Sequence, residues 1–89
     1  MKRVHLFISG RVQGVGFRYA VEEKASALGI NGWVRNLFDG RVEAIGEGEN
    51  KLINEFVDFC RCGPCGAIVK DLIIEEETPV QNVKGFEIR

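Results

Sequence analysis

The stretch Gly10-Arg11-Val12-Gln13-Gly14-Val15-Gly16-Phe17-Arg18 carries three glycines and ends on an arginine. It falls where an extended apolar run gives way to a helical pattern, so it reads as a strand-to-helix turn. Glycine adopts positive φ without strain and lets the backbone come close to a ligand. Successive amides in such a turn face one concavity, and the first turn of a helix adds partial positive charge. Together they make a seat for an anion. Arg18 opens the helix, where its planar guanidinium can donate two parallel hydrogen bonds to the same anion. Two common phosphate patterns do not fit. A P-loop needs Lys after its second glycine, and the dinucleotide fingerprint needs glycine where Tyr19 stands.

A second candidate is Asn36, whose side-chain amide both accepts and donates. It can orient a water molecule but is too weak a base to deprotonate one. The plainer alternative is a strand-end asparagine bonded to its own backbone. No general base lies near either motif, because the single histidine, His5, sits in the preceding strand, where a sheet residue with satisfied partners is the expectation. Glu75-Glu76-Glu77 reads as a solvated strand end. The cluster Cys60-Arg61-Cys62-Gly63-Pro64-Cys65 leaves three readings open. Zinc binding lacks a fourth ligand nearby. A Cys62–Cys65 disulfide fits the spacing. Otherwise Cys60 is a core residue and Cys62 and Cys65 sit at an exposed helix end.

The elements that must position these residues follow from periodicity. Val4–Ser9 is β-branched and aromatic on both parities, which suits a strand buried on both or nearly both faces. Gly10–Gly16 is a loop. Phe17, Val21, Ala25 and Leu28 share one stripe of a helix that stops at Gly29. Asn31–Phe38 and Arg41–Glu47 flank Asp39-Gly40, a strong hairpin signal. Asn50 caps a second helix whose buried stripe is Leu52, Ile53, Phe56, Val57 and Cys60, ended by Gly63-Pro64. Ala67–Glu77 is a long strand, and Gly85–Arg89 a short last one. This order predicts an α+β, ferredoxin-like βαββαβ sandwich: a four-stranded antiparallel sheet with both helices on one face, plus the short C-terminal strand. The other face is expected to be largely solvated, with Trp33 or Phe7 on it.

Eighty-nine residues make a single domain over 1–89, with a thin core. The apolar share is 45%, the charged share 28% and the net charge −1, which removes compositional support for nucleic-acid or polybasic membrane binding. No run approaches the ~20 apolar residues of a membrane span. The N-terminus has no signal-peptide pattern, and clustered cysteines are no secreted framework. A soluble, cytoplasmic monomer is expected.

The nine-residue string closely resembles the first signature of the acylphosphatase family. Gly32-Trp33-Val34-Arg35-Asn36, followed after three residues by Gly40-Arg41-Val42 and then Gly48, resembles the second. Both match without departure, and the resemblance covers the whole chain. It implies a free-standing enzyme that hydrolyses acyl phosphates to carboxylate and orthophosphate without metal or other cofactor. Orthophosphate is then both product and inhibitor. By resemblance, Arg18 is the substrate-binding arginine, Asn36 orients the water, and Gln13, Gly14, Val15, Gly16 and Phe17 complete the phosphate cradle with Arg18. The alternative is a module that holds an anion or carbamoyl phosphate without turnover, as in the acylphosphatase-like domain of hydrogenase-maturation carbamoyltransferases. An RNA-binding ferredoxin-like domain would need exposed aromatics and a basic sheet face.

Overall fold

The computed structural model describes residues 1–89. Strand β1 (Lys2–Arg11) leads through the glycine-rich loop into helix α1 (Phe17–Leu28). Strands β2 (Asn31–Asn36) and β3 (Val42–Gly48) form the hairpin, followed by α2 (Asn50–Cys62), β4 (Ile68–Glu77) and β5 (Phe86–Ile88). The strands lie in the order β4-β1-β3-β2-β5, antiparallel except that β5 runs parallel to β2. The fold is the expected ferredoxin-like sandwich. The last strand, though, is a fifth member of the sheet. Its pairing of Phe86 with Gly32 and Ile88 with Val34 covers the β2 edge.

Both helices pack on one face of the sheet. Val4, Leu6 and Ile8 of β1, Val34 of β2, and Val42 and Ala44 of β3 meet Val21 and Ala25 of α1 and Ile53, Phe56 and Cys60 of α2. Gly46 leaves room for the Phe56 ring, which also meets Phe86 edge-on at 5.8 Å. Leu28 and Leu52, on the expected stripes, are only partly buried.

Local departures from the sequence reading have physical causes. β1 is fully buried on its helix side only, because His5 and Phe7 lie on the open face; β3, in the centre, is buried along its whole length. The hairpin strands end sooner than expected, at Asn36 and Val42. Leu37 and Arg41 flank a turn in which the Gly40 amide donates to the Leu37 carbonyl and Gly40 has φ +95°, a three-residue turn rather than a two-residue one. Helix α2 starts at Asn50, so Glu49 holds the cap position and no side chain caps it.

The open face is held by charge rather than by a second layer. Glu43 bridges three strands, accepting from Arg35 at 2.6 Å and lying 2.6 Å from His5 Nε2. His5 Nδ1 lies 3.0 Å from Glu77, so both of its ring nitrogens have carboxylate partners. Burial raises the Glu43 carboxyl, but the His5 and Arg35 hydrogen bonds outweigh it and hold the group below its usual value. Phe7 and Trp33 both lie on this face, with the Arg41 guanidinium over Phe7 and those of Arg35 and Arg89 over Trp33. The rings that an RNA platform would present are covered, and the arginines there pair with carboxylates: Arg35 with Glu43, Arg41 with Asp39 and Arg89 with Glu87.

The chain must travel from the β4 edge to the opposite edge before β5, and Glu47 anchors that crossing. It is buried, accepts from the Val80 and Gln81 amides at 2.9 and 2.8 Å, and pairs with Arg3. Burial raises its carboxyl, but the two amides and Arg3 prevail and hold it below the ordinary 4.5. Glu47→Ala is therefore expected to lower the unfolding free energy by about 2–4 kcal/mol in urea titrations. The exposed Glu75→Ala should change it by less than about 0.5 kcal/mol. Because the folded value is depressed, the Glu47 contribution is complete above pH 4.5 and is lost as pH falls through the folded value. Wild type should lose stability on acidification, and Glu47→Ala should lose less.

Candidate active site

Helix α1 begins with an open end. Its N-cap is Gly16, no side chain caps it, and its first turn holds no acidic residue. The first amide with an intrahelical partner is that of Ala20, which donates to Gly16 O at 3.1 Å. The amides of the preceding first turn are therefore left over by helix geometry. The loop amides of Gln13, Gly14, Val15 and Gly16 likewise donate to no other group of the chain. Gly14 and Gly16 have φ of +74° and +77°, and a Cβ on either would meet nothing within 4 Å. Glycine is needed there for the backbone angle, not for want of space.

Gly14 and Gly16 of the loop and Phe17, Arg18 and Tyr19 of the first turn line a hollow of about 210 Å³ together with Val12 and Asn36. Arg18 is half-buried and takes part in none of the chain's ion pairs. Its fork is free for a ligand. Asn36 enters from the end of β2, and its Oδ1 is buried with no hydrogen-bond partner. Phe17 contributes backbone only, since its ring is in the core against Gly63.

The structure thus gathers Gly14, Gly16, Phe17, Arg18 and Asn36 around one hollow, but it gives Gln13 and Val15 other work. The Gln13 side chain donates to the carbonyls of Leu37 and Arg41 at 2.7 and 3.0 Å. It is a clamp between the loop and the hairpin that carries Asn36. The Val15 side chain packs against the core. Val12 and Tyr19 line the hollow and were missed by motif reading. Tyr19 could have been found from its place beside Arg18 in the first turn, whereas Val12 carries no chemical signal.

A larger hollow of about 440 Å³ lies against α2, β1 and β4. There Lys2 and Arg61 face Asp58 and Glu76, and no open helix start points into it. Cys60 is buried, and burial pushes its thiol up to about 12; Cys62 and Cys65 are exposed, and all three are free. No three His, Cys, Asp or Glu side chains come together in a way that could hold a metal ion. No helix is long and apolar enough to cross a membrane.

The family model for acylphosphatase matches residues 4–88. The chain belongs to the acylphosphatase family. An acylphosphatase of Trichormus variabilis is 53% identical over 87 residues, which span 98% of this chain and 85% of that protein. The crystal structure of acylphosphatase from Bacillus subtilis superposes with a TM-score of 0.96 at 36% identity, covering 100% of this chain and 99% of that one. Full-length HypF in its phosphate- and nucleotide-bound form contains the same fold, with a TM-score of 0.85 and 27% identity over 99% of this chain but 12% of its own.

The Gln13 clamp yields a test of how the family's two motifs are held in register. Gln13→Ala removes two hydrogen bonds across the loop–hairpin seam but leaves the amides and Arg18 in place. Turnover should fall about 10-fold or more, since small misplacements are costly, while the orthophosphate inhibition constant should move by less than about 3-fold. By contrast, replacing both Cys62 and Cys65 with Ser should leave turnover within about 2-fold of wild type, because neither lines the hollow.

Proposed function

We propose that this member of the acylphosphatase family hydrolyses the carboxyl–phosphate bond of acyl phosphates in the hollow between the β1–α1 loop and Asn36. The observation that carries the reading is the run of open amides from Gln13 into the first turn of α1, with the unpaired Arg18 beside it. Those donors fit the phosphoryl oxygens, and they strengthen as charge develops on the phosphoryl group in the transition state. Asn36 holds the attacking water from the β2 side. Its buried, unpartnered Oδ1 is an acceptor whose unmet need costs about 1–3 kcal/mol, and a water donating to it relieves that cost.

The water oxygen forms the new bond to phosphorus as the bond to the acyl oxygen breaks, and the bonding pair leaves with the carboxylate. A phosphoryl oxygen of the substrate takes the water's proton, giving carboxylate and dihydrogen phosphate. Since carboxylic acids have pKa values of about 4–5, the leaving group needs no acid catalyst. The hollow accordingly contains no His, Cys, Asp or Glu. That donor set suits amide and guanidinium chemistry and offers no imidazole, thiolate or carboxylate to hold a metal, so activity should survive EDTA. Orthophosphate, which presents the same oxygens, should inhibit competitively.

The chain works as a single domain and a monomer. Lys70, Asp71 and Glu75–Glu77 charge the exposed β4 edge against further strand pairing. Its exposed free thiols suit the reducing cytoplasm.

Two substitutions separate the roles. Arg18→Ala should cost on the order of 10³-fold in turnover and weaken orthophosphate inhibition, with little rescue by Arg18→Lys. Asn36→Ala should cost about 10²–10³-fold in turnover but alter orthophosphate inhibition far less. Circular dichroism should show both variants folded. A folded Asn36→Ala with wild-type turnover contradicts the mechanism. Phosphate binding without turnover in the wild type would instead establish the module reading.

A further inference from the structure

Tyr19 is the one residue around the hollow whose position the phosphoryl chemistry does not explain. Its neighbours in the lining are either glycines, buried apolar side chains, or the two polar groups already assigned. Val12 and Phe17 are each only 1% exposed, whereas Tyr19 lines the same hollow with 71% of its surface open to solvent. An exposed aromatic ring beside the phosphate-binding arginine is apolar surface with no partner in the chain.

In-line displacement decides what such a ring can touch. The attacking and leaving oxygens lie on opposite sides of phosphorus. With water held by Asn36 on the β2 wall, the acyl oxygen departs toward the other side. The α1 residues that line the hollow are Phe17, Arg18 and Tyr19; Phe17 is buried, Arg18 half-buried and Tyr19 71% exposed. Arg18 is engaged with phosphoryl oxygens, which leaves the Tyr19 ring for the acyl group. Tyrosine is suited to the contact, because it offers a large flat face and loses only two side-chain torsions on binding.

We propose that Tyr19 is the acyl-group contact of this site and biases the enzyme toward acyl phosphates with aromatic or bulky apolar acyl groups over acetyl phosphate. The assignment rests on the hydrolytic reading of the hollow. The phosphate is read by backbone and Arg18 and is common to all substrates; the acyl group is read by one ring. An offset stack or edge contact of an aryl group with that ring corresponds to roughly 3- to 10-fold in affinity. The contact exists in both ground and transition states, so it should appear in KM more than in kcat.

The test compares kcat/KM for benzoyl phosphate and acetyl phosphate in wild type, Tyr19→Ala, Tyr19→Phe and Phe38→Ala. Taking the ratio of the two substrates removes their different intrinsic reactivities. Tyr19→Ala should lower the benzoyl-to-acetyl ratio about 3- to 10-fold through a raised KM for benzoyl phosphate, and Tyr19→Phe should keep the ratio. Phe38, fully exposed but outside the hollow lining, is the control for generic surface apolarity and should leave the ratio unchanged. An unchanged ratio in Tyr19→Ala, or an equal loss on both substrates, would overturn the proposal while leaving the hydrolytic reading intact. Failure of the wild type to hydrolyse either substrate would overturn both.

Discussion

A helix opens with amides that none of its own carbonyls can accept from, and most helices cover at least one of them with a side chain at the cap. Here the cap residue is Gly16, so nothing covers them, and the loop before it adds open amides of its own. This deficit of acceptors is what the rest of the structure serves. Phe17 locks the start of the helix by burying its ring, while its amide stays in the hollow. The β1–β4 pairing shifts register between Ser9 and Gly10 and continues through Gly10–Val69 and Arg11–Ile68 up to the loop, and Gly10 is required there because a Cβ would collide with Ile68 O. Gln13 ties the far side to the hairpin. An anion that fills the hollow satisfies donors that the chain leaves unmet.

The second requirement is that Asn36 stay fixed relative to those amides, and the open face of the sheet meets it. Asn36 follows Arg35, which is held to Glu43 on the central strand; Glu43 in turn lies against His5 of β1. One carboxylate thereby connects the strand that leads into the glycine-rich loop with the strand that carries Asn36. Guanidinia cover Trp33 and Phe7 on the same face, each paired with a carboxylate. Two sets of charges do different work on the two sides of the molecule. On the open face, paired charges hold strands together. At the hollow, one arginine is left unpaired for a ligand.

Much of this was legible in the sequence because the informative residues are local. The period change at Phe17, the Asp39-Gly40 turn and the two glycine-containing signatures each lie within a short window, and they mark the element order and the glycine-rich loop that leads into α1. What escaped depends on long-range pairing. Gln13 looked like a phosphate ligand by position, yet its side chain is used by carbonyls 24 and 28 residues away. Glu47 entered the sequence reading only as the last residue of a strand, and nothing local marks it as the anchor of a crossing more than 30 residues downstream. The fifth strand's place beside β2 could not be inferred from three residues of alternating pattern. His5 and Phe7 blurred the burial of β1 because aromatic rings suit a half-covered face as well as a core.

The most direct test of the central claim is an orthophosphate titration followed through the backbone amide resonances of the ¹⁵N-labelled chain. Binding at the open helix start predicts saturable shifts concentrated in the amides of Gln13 through Tyr19, with the same residues silent in Arg18→Ala at equal phosphate. Shifts centred elsewhere, such as around Lys2 and Arg61, or no saturable shift at millimolar phosphate, would contradict it.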